Sequence, residues 1–164
     1  MIKQIHGVIP VVHTPFLENG ELDRASLVRE LEWACSLEID GLCTGMVSEL
    51  LRLDDVERET LHRWIGEFDR GARSFVASVG AESIEQAVIY AQMARQAGAD
   101  AVMAIPPTKK QLDAQGLTDY YTQILELGGL PLIVQDASGY VGNEIPLEVS
   151  VCLFERFGSE KVMF

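Results

Sequence analysis

Basic residues are scarce in this chain: 13 Lys and Arg stand against 25 Asp and Glu, a formal net charge of −12. A surface so acidic repels phosphate backbones and anionic lipids, which disfavours nucleic-acid and membrane partners. Long apolar runs are missing as well. None approaches the roughly 20 residues that a membrane span needs. The opening Met1-Ile2-Lys3-Gln4-Ile5-His6 lacks the apolar stretch and small-residue cleavage site of a signal peptide, so the cytoplasm is the default compartment. Cysteine is limited to Cys35, Cys43 and Cys152, odd in number and widely spaced, which fits neither a disulfide framework nor a CxxC pair. They read as buried, reduced thiols behaving as small hydrophobes. His6 and His62 have no ligand-type spacing with a Cys, Asp or Glu cluster. No metal site and no cofactor is expected.

What remains is a chain able to fold on its own apolar content. Apolar residues make up 48% of its 164 positions and the mean hydropathy is +0.11, which excludes disorder as a description. Short β-rich runs alternate with amphipathic stretches at a period of roughly 30 residues, the size of a βα unit. The runs are residues 7–12, 41–44, 74–79, 100–105 and 130–135, with a sixth at Lys161-Val162-Met163-Phe164. Most are near-continuously apolar, as parallel strands covered on both faces should be. Between them, Asp54-x-x-Glu57 and Ser83-x-x-Gln86 read as capping boxes. Leu27, Leu31 and Ala34 line one helix face; Leu61, Ile65 and Phe68 line a second; Ala87, Tyr90, Ala91 and Ala94 line a third. Gly98 supplies the left-handed residue that ends the third.

Strict alternation without hairpin signals means a parallel α/β sheet. The first run leads into His13-Thr14-Pro15-Phe16, and neither GxGxxG nor Walker A is present, which turns the choice from a doubly wound sheet toward a barrel. A closed (β/α)8 barrel takes about 250 residues. Residues 1–164 are therefore expected to be the N-terminal portion of a single barrel domain, roughly five to six units of eight.

Several motifs together resemble the family of dihydrodipicolinate synthase and N-acetylneuraminate lyase. They are Gly7-Val8-Ile9-Pro10 with Thr14-Pro15-Phe16; the Gly41–Glu49 segment, in place of a Gly-Thr-Thr-Gly-Glu loop; Ala97-Gly98-Ala99-Asp100-Ala101 with Pro106; and Leu130-Pro131-Leu132-Ile133-Val134. The resemblance implies a (β/α)8 TIM barrel, usually a homotetramer, whose lysine near the end of the sixth strand forms a Schiff base with a small 2-oxo acid. Aligned on Glu160–Phe164, that lysine is expected immediately after Phe164. Lys161 is rejected as its substitute, because it begins the strand and barrel chemistry sits at strand C-terminal ends. Lys109 and Lys110 follow the fourth run on the catalytic side and read as an exposed loop pair.

The departures from the family pattern bear on function. Gln135 occupies the position of the family's proton-relaying tyrosine; glutamine hydrogen-bonds but has no titratable proton. Met46 and Val47 replace a threonine pair, leaving backbone N–H groups, helped by the Ser48 hydroxyl, to hold a carboxylate. Thr108 and Tyr140 stand where the synthases carry a tyrosine lent to a neighbouring subunit and an arginine that grips the second substrate. These changes argue against dihydrodipicolinate synthesis itself. Ser48-Glu49 with Val134-Gln135-Asp136-Ala137 is similar to the 2-keto-3-deoxy-L-arabonate dehydratase branch. The expected function is thus a Schiff-base lyase on pyruvate or a 2-keto-3-deoxy sugar acid, foremost a dehydratase. An aldol condensation or cleavage with pyruvate is the alternative, and an inactive keto-acid-binding paralogue the alternative of another class. Glu49 is expected to serve its own loop and Asp136, on the opposite side of the strand from Gln135, to cap a turn; His13 is read as structural.

Overall fold

The computed structural model describes residues 3–141 and 143–164. Five strands, β1 (Gly41–Cys43), β2 (Ser74–Ser78), β3 (Ala101–Ala104), β4 (Leu132–Val134) and β5 (Val162–Met163), form one sheet with every pairing parallel. Helix α1 (Arg24–Cys35) precedes β1. Helices α2 (Asp55–Glu67), α3 (Ile84–Gln96) and α4 (Ala114–Gly128) connect the strands that follow, and β4 leads through a single turn, α5 (Ser138–Val141), to α6 (Leu147–Phe157). The strands lie side by side in sequence order, β1-β2-β3-β4-β5. A doubly wound sheet reverses its order at a switch point. A sheet that advances one neighbour at a time in one direction is a segment of barrel wall.

The first expected strand, residues 7–12, does not form a regular strand. It runs along the free edge of β1, where Pro10 C=O accepts from Cys43 N–H (2.9 Å) and Cys43 C=O accepts from Val12 N–H (2.9 Å). Only the Val11–Cys43 pair makes a bridge. Pro10 has no N–H to give. Gly7 takes a φ of +80°, and a Cβ there would collide with the Asp40 side chain, so the run enters the edge through a turn only glycine makes easily. The other runs are strands where expected, but shorter at their ends.

Alternation along the strands builds two cores. Leu42, Phe75, Val102, Leu132 and Val162 pack between sheet and helices with the stripes of α1, α2 and α3. On the opposite, lumenal face Cys43, Val76, Ala101 and Met103 pack with Ile9, Val11, Ile133 and Met163. Each fully buried side chain of this size contributes roughly 1.5–3 kcal/mol. Asp54 and Glu57 make both bonds of their box (2.8 and 2.9 Å), whereas Ser83 supplies its half, accepting from Gln86 N–H at 3.2 Å. Tyr90 and Phe68 are only partly buried on their stripes. The three cysteines are free, but only Cys43 is buried; Cys35 is half-buried and Cys152 lies exposed on α6, a correction to the expectation of three buried thiols. No described helix is long and apolar enough to cross a membrane.

Candidate active site

Parallel winding sends every strand's C-terminal end, and every following helix's N-terminus, to one edge of the sheet. Asp54, Ser83 and Asp113 cap α2, α3 and α4 there, and those N-termini carry partial positive charge. All the site residues singled out in the sequence fall on this edge: Met46, Val47 and Ser48 after β1, Thr108 after β3, Gln135 after β4, and Tyr140 in α5.

The loop after β1 is anchored by a buried polar relay. Thr44 Oγ1 accepts from Ser78 N–H (2.9 Å) and lies 3.1 Å from His62 Nε2. The hydroxyl and the ring nitrogen share one buried hydrogen bond, and His62 is neutral. Burial, with Arg58 adding to it, pushes His62 down to about 3. Beyond Gly45 the chain makes a 3₁₀ turn, Met46–Ser48. Ser48 is fully buried; its hydroxyl donates to Val12 C=O and accepts from Gly45 N–H (3.1 Å), while the Thr14 hydroxyl donates to Ser48 C=O. The Ser48 proton is therefore spent on the backbone, and the expected help of its hydroxyl to a substrate does not hold. Met46 is half-buried and Val47 is 63% exposed. As the first two residues of the turn, their amides have no acceptor within it. Glu49 serves its loop: its carbonyl accepts from Arg52 and Leu53 N–H and its carboxylate pairs with Arg52 at 2.9 Å.

Gln135 extends the sheet past β4 by donating its N–H to Ala104 C=O (3.0 Å). Ile133 faces the lumen, so Gln135, two residues on, faces it too. Its Oε1 is buried without a hydrogen-bond partner among the described residues, and the residue borders a hollow of about 470 Å³ with Met103, Ile133, Ile145 and Phe164. An unpaired buried acceptor is unfavourable by roughly 1–3 kcal/mol, a deficit that a ligand donor would remove. Met103 links this hollow to the β1 loop, since a Cβ on Gly45 would sit 3.8 Å from its Cε. Asp136 turns away and caps, accepting from Ser138 N–H (2.8 Å) and Ile145 N–H (3.3 Å); the Ser138 bonds hold its carboxyl below the usual range.

Thr108 lies elsewhere. Its hydroxyl and amide both donate to Glu82, whose other oxygen accepts from Lys109 N–H (2.9 Å). Burial works against the Glu82 carboxylate, but the Thr108 hydroxyl and the two amides hold its pKa below the ordinary value. This clamp borders a second hollow of about 340 Å³ with Arg58 and Tyr90, so Thr108 and Gln135 do not share a cavity. Tyr140 is 88% exposed. Lys109, Lys110 and Lys161 are exposed. His13, for which the sequence offered no partner, bonds Glu30 through Nδ1 at 2.9 Å. The anchors His62 and Glu82 were missed, and no spacing signal marks either.

Comparison with known proteins accounts for this arrangement. Residues 4–157 match the dihydrodipicolinate synthetase family. An L-2-keto-3-deoxyarabonate dehydratase of Azospirillum brasilense is 34% identical over 136 residues, 80% of this chain and 44% of the relative. An N-acetylneuraminate lyase of Citrobacter koseri is 31% identical over 150 residues, 90% of this chain and 50% of the relative. The crystal structure of YagE from Escherichia coli K12, in complex with pyruvate, superposes with a TM-score of 0.87 at 23% identity, covering 92% of this chain and 51% of that one. The chain spans about half the length of the curated relatives it matches, and its sheet is part of a TIM barrel.

Proposed function

Because the chain belongs to the dihydrodipicolinate synthetase family, we propose that residues 1–164 are the N-terminal portion of one barrel domain in a Schiff-base-forming lyase. Its substrate class is pyruvate or a 2-keto-3-deoxy sugar acid, and its reaction a dehydration. The observation that carries the reading is the lumenal, unpartnered Gln135 Oε1 beside the end of β5. Met163 faces the lumen, so by strand alternation the position after Phe164 faces it again. A lysine there would stand on the strand next to Gln135.

Such an amine attacks the C2 carbonyl and expels water to give an iminium, which acidifies C3. A base takes the C3 proton, the C4 hydroxyl leaves as water, and hydrolysis frees the lysine. The substrate carboxylate suits the amides of Met46 and Val47, which have no acceptor within their turn, on an edge made locally positive by helix N-termini despite the net charge of −12. Gln135 orients a hydroxyl or water but passes no proton, which supports a dehydration over a tyrosine-relayed condensation. The same substitution favours a second reading, a keto-acid-binding paralogue without activity.

The test uses the polypeptide extended past Phe164. Incubated with pyruvate and borohydride, it should gain the mass of one reduced pyruvyl adduct on the lysine after Phe164; an unmodified mass would reject the Schiff-base reading. With a 2-keto-3-deoxy acid, a dehydratase yields a product of unchanged carbon count and no pyruvate, an aldolase releases pyruvate, and the inactive paralogue turns over neither.

A further inference from the structure

We infer that Ser78 is a substrate-binding residue, the lumenal hydroxyl that recognises an alcohol group on the carbon chain of the 2-oxo acid. The inference rests on the lyase reading and specifies how its site tells a hydroxylated substrate from bare pyruvate.

Ser78 is the last residue of β2, at the C-terminal edge. Val76, two residues earlier, packs on the lumenal face with Cys43 and Met103, and β2 alternates without a bulge through its register with β3, where Ser78 pairs Met103. The Ser78 side chain therefore faces the lumen. It is 6% exposed, in a wall otherwise made of Cys43, Val76, Ala101, Met103 and Ile133.

Several of the other hydroxyls along this edge are committed. Thr14 donates to Ser48 C=O, Ser48 to Val12 C=O and Thr108 to Glu82, while Thr44 is engaged by His62 and the Ser78 amide. It is the Ser78 amide that bonds Thr44; among the described hydrogen bonds its hydroxyl takes part in none. The two hydroxyls lost at Met46 and Val47 are thus matched by one on the neighbouring strand. A serine hydroxyl both donates and accepts without charge, which fits a neutral alcohol, whereas the carboxylate is better served by amides at the positive helix ends. Gln135, just past β4, and Ser78 on β2 come from alternate strands, the arrangement that brings side chains together in a barrel layer.

The experiment compares the extended polypeptide with its Ser78→Ala and Ser78→Thr variants on two probes, pyruvate and 2-keto-3-deoxyarabonate. Ser78→Ala should trap pyruvate with borohydride as the parent does, while kcat/KM on the hydroxylated acid falls about 10-fold or more, the effect of one lost hydrogen bond. Ser78→Thr should recover part of that loss. Unchanged kcat/KM in Ser78→Ala overturns the inference and leaves the lyase reading standing, as does an equal loss on both probes, which would mark a packing role. Failure of the parent itself to trap pyruvate overturns the lyase reading and this inference with it.

Discussion

The two edges of the sheet are held together by opposite chemistry. At the strand N-terminal edge, long cations reach across to backbone: Arg73 donates to Cys35 C=O (2.7 Å), and Arg70 to Gly66 C=O (3.2 Å) and Gly98 C=O (3.0 Å). Asp100 accepts from Phe75 N–H (2.9 Å) and sits between Arg70 and Lys3. These carbonyls lie at the C-terminal ends of α1, α2 and α3, where the helix dipole is negative and cations are favoured. At the strand C-terminal edge the fasteners are short hydroxyls and caps: Thr14, Thr44, Ser48, Asp54, Ser83 and Asp113. Helix direction explains the difference. One edge is a neutralised clamp; the other leaves positive helix ends and Gln135 beside a cavity, a setting for a small anion in an acidic protein.

That contrast can be broken, beginning with the largest expected effect. Asp100→Ala strips a carboxylate from Arg70, whose side chain is 14% exposed, and from the Phe75 amide. Removing one member of a largely buried pair should lower stability by about 3 kcal/mol in urea unfolding, without altering pyruvate trapping. A loss of trapping at unchanged stability would contradict the division of labour between the edges. Thr44→Val, on the other edge, leaves the Ser78 amide and His62 Nε2 unpaired and should destabilise by about 2 kcal/mol.

Acid probes the same anchor. Unfolded His62 titrates at the ordinary histidine value of 6.5 and the folded residue at about 3, so between these values the unfolded chain binds the extra proton. The stability held by the neutral histidine is complete above pH 6.5 and is lost as pH falls toward 3. Between pH 7 and 5 the loss should be about 2 kcal/mol, and His62→Gln should flatten that stretch of the profile. Smallest of all, Arg52→Ala removes an ion pair whose arginine is 82% exposed. Its effect should stay under about 0.5 kcal/mol, showing that surface charge on the strand C-terminal edge adds little.

Legibility in the sequence tracked how local each feature is. The stripes Leu27-Leu31-Ala34 and Ala87-Ala91-Ala94 were readable because helical periodicity repeats every three or four residues, and those side chains are buried. Gln135 was singled out through the family resemblance, and the turn-capping role of Asp136 was legible by strand alternation. The run at residues 7–12 has a strand's composition, yet Pro10 and the Gly7 turn keep it from regular pairing. Ser48 failed as a donor because its proton goes to Val12, 36 positions away, and Thr108 is held by Glu82, 26 positions away. Neither partner lies in any local pattern.

By itself, then, the sequence determined the order and kind of the elements, the faces they bury and the family they belong to, since periodicity, caps and motifs act over a few residues. Tertiary structure alone decided which polar groups are consumed and which are left over. Thr44, Ser48, His62 and Glu82 are spent on partners brought from 18 to 36 positions away, while Gln135 Oε1 is not. A hydrogen bond is assigned by distance in space, and that distance exists only once the chain has folded.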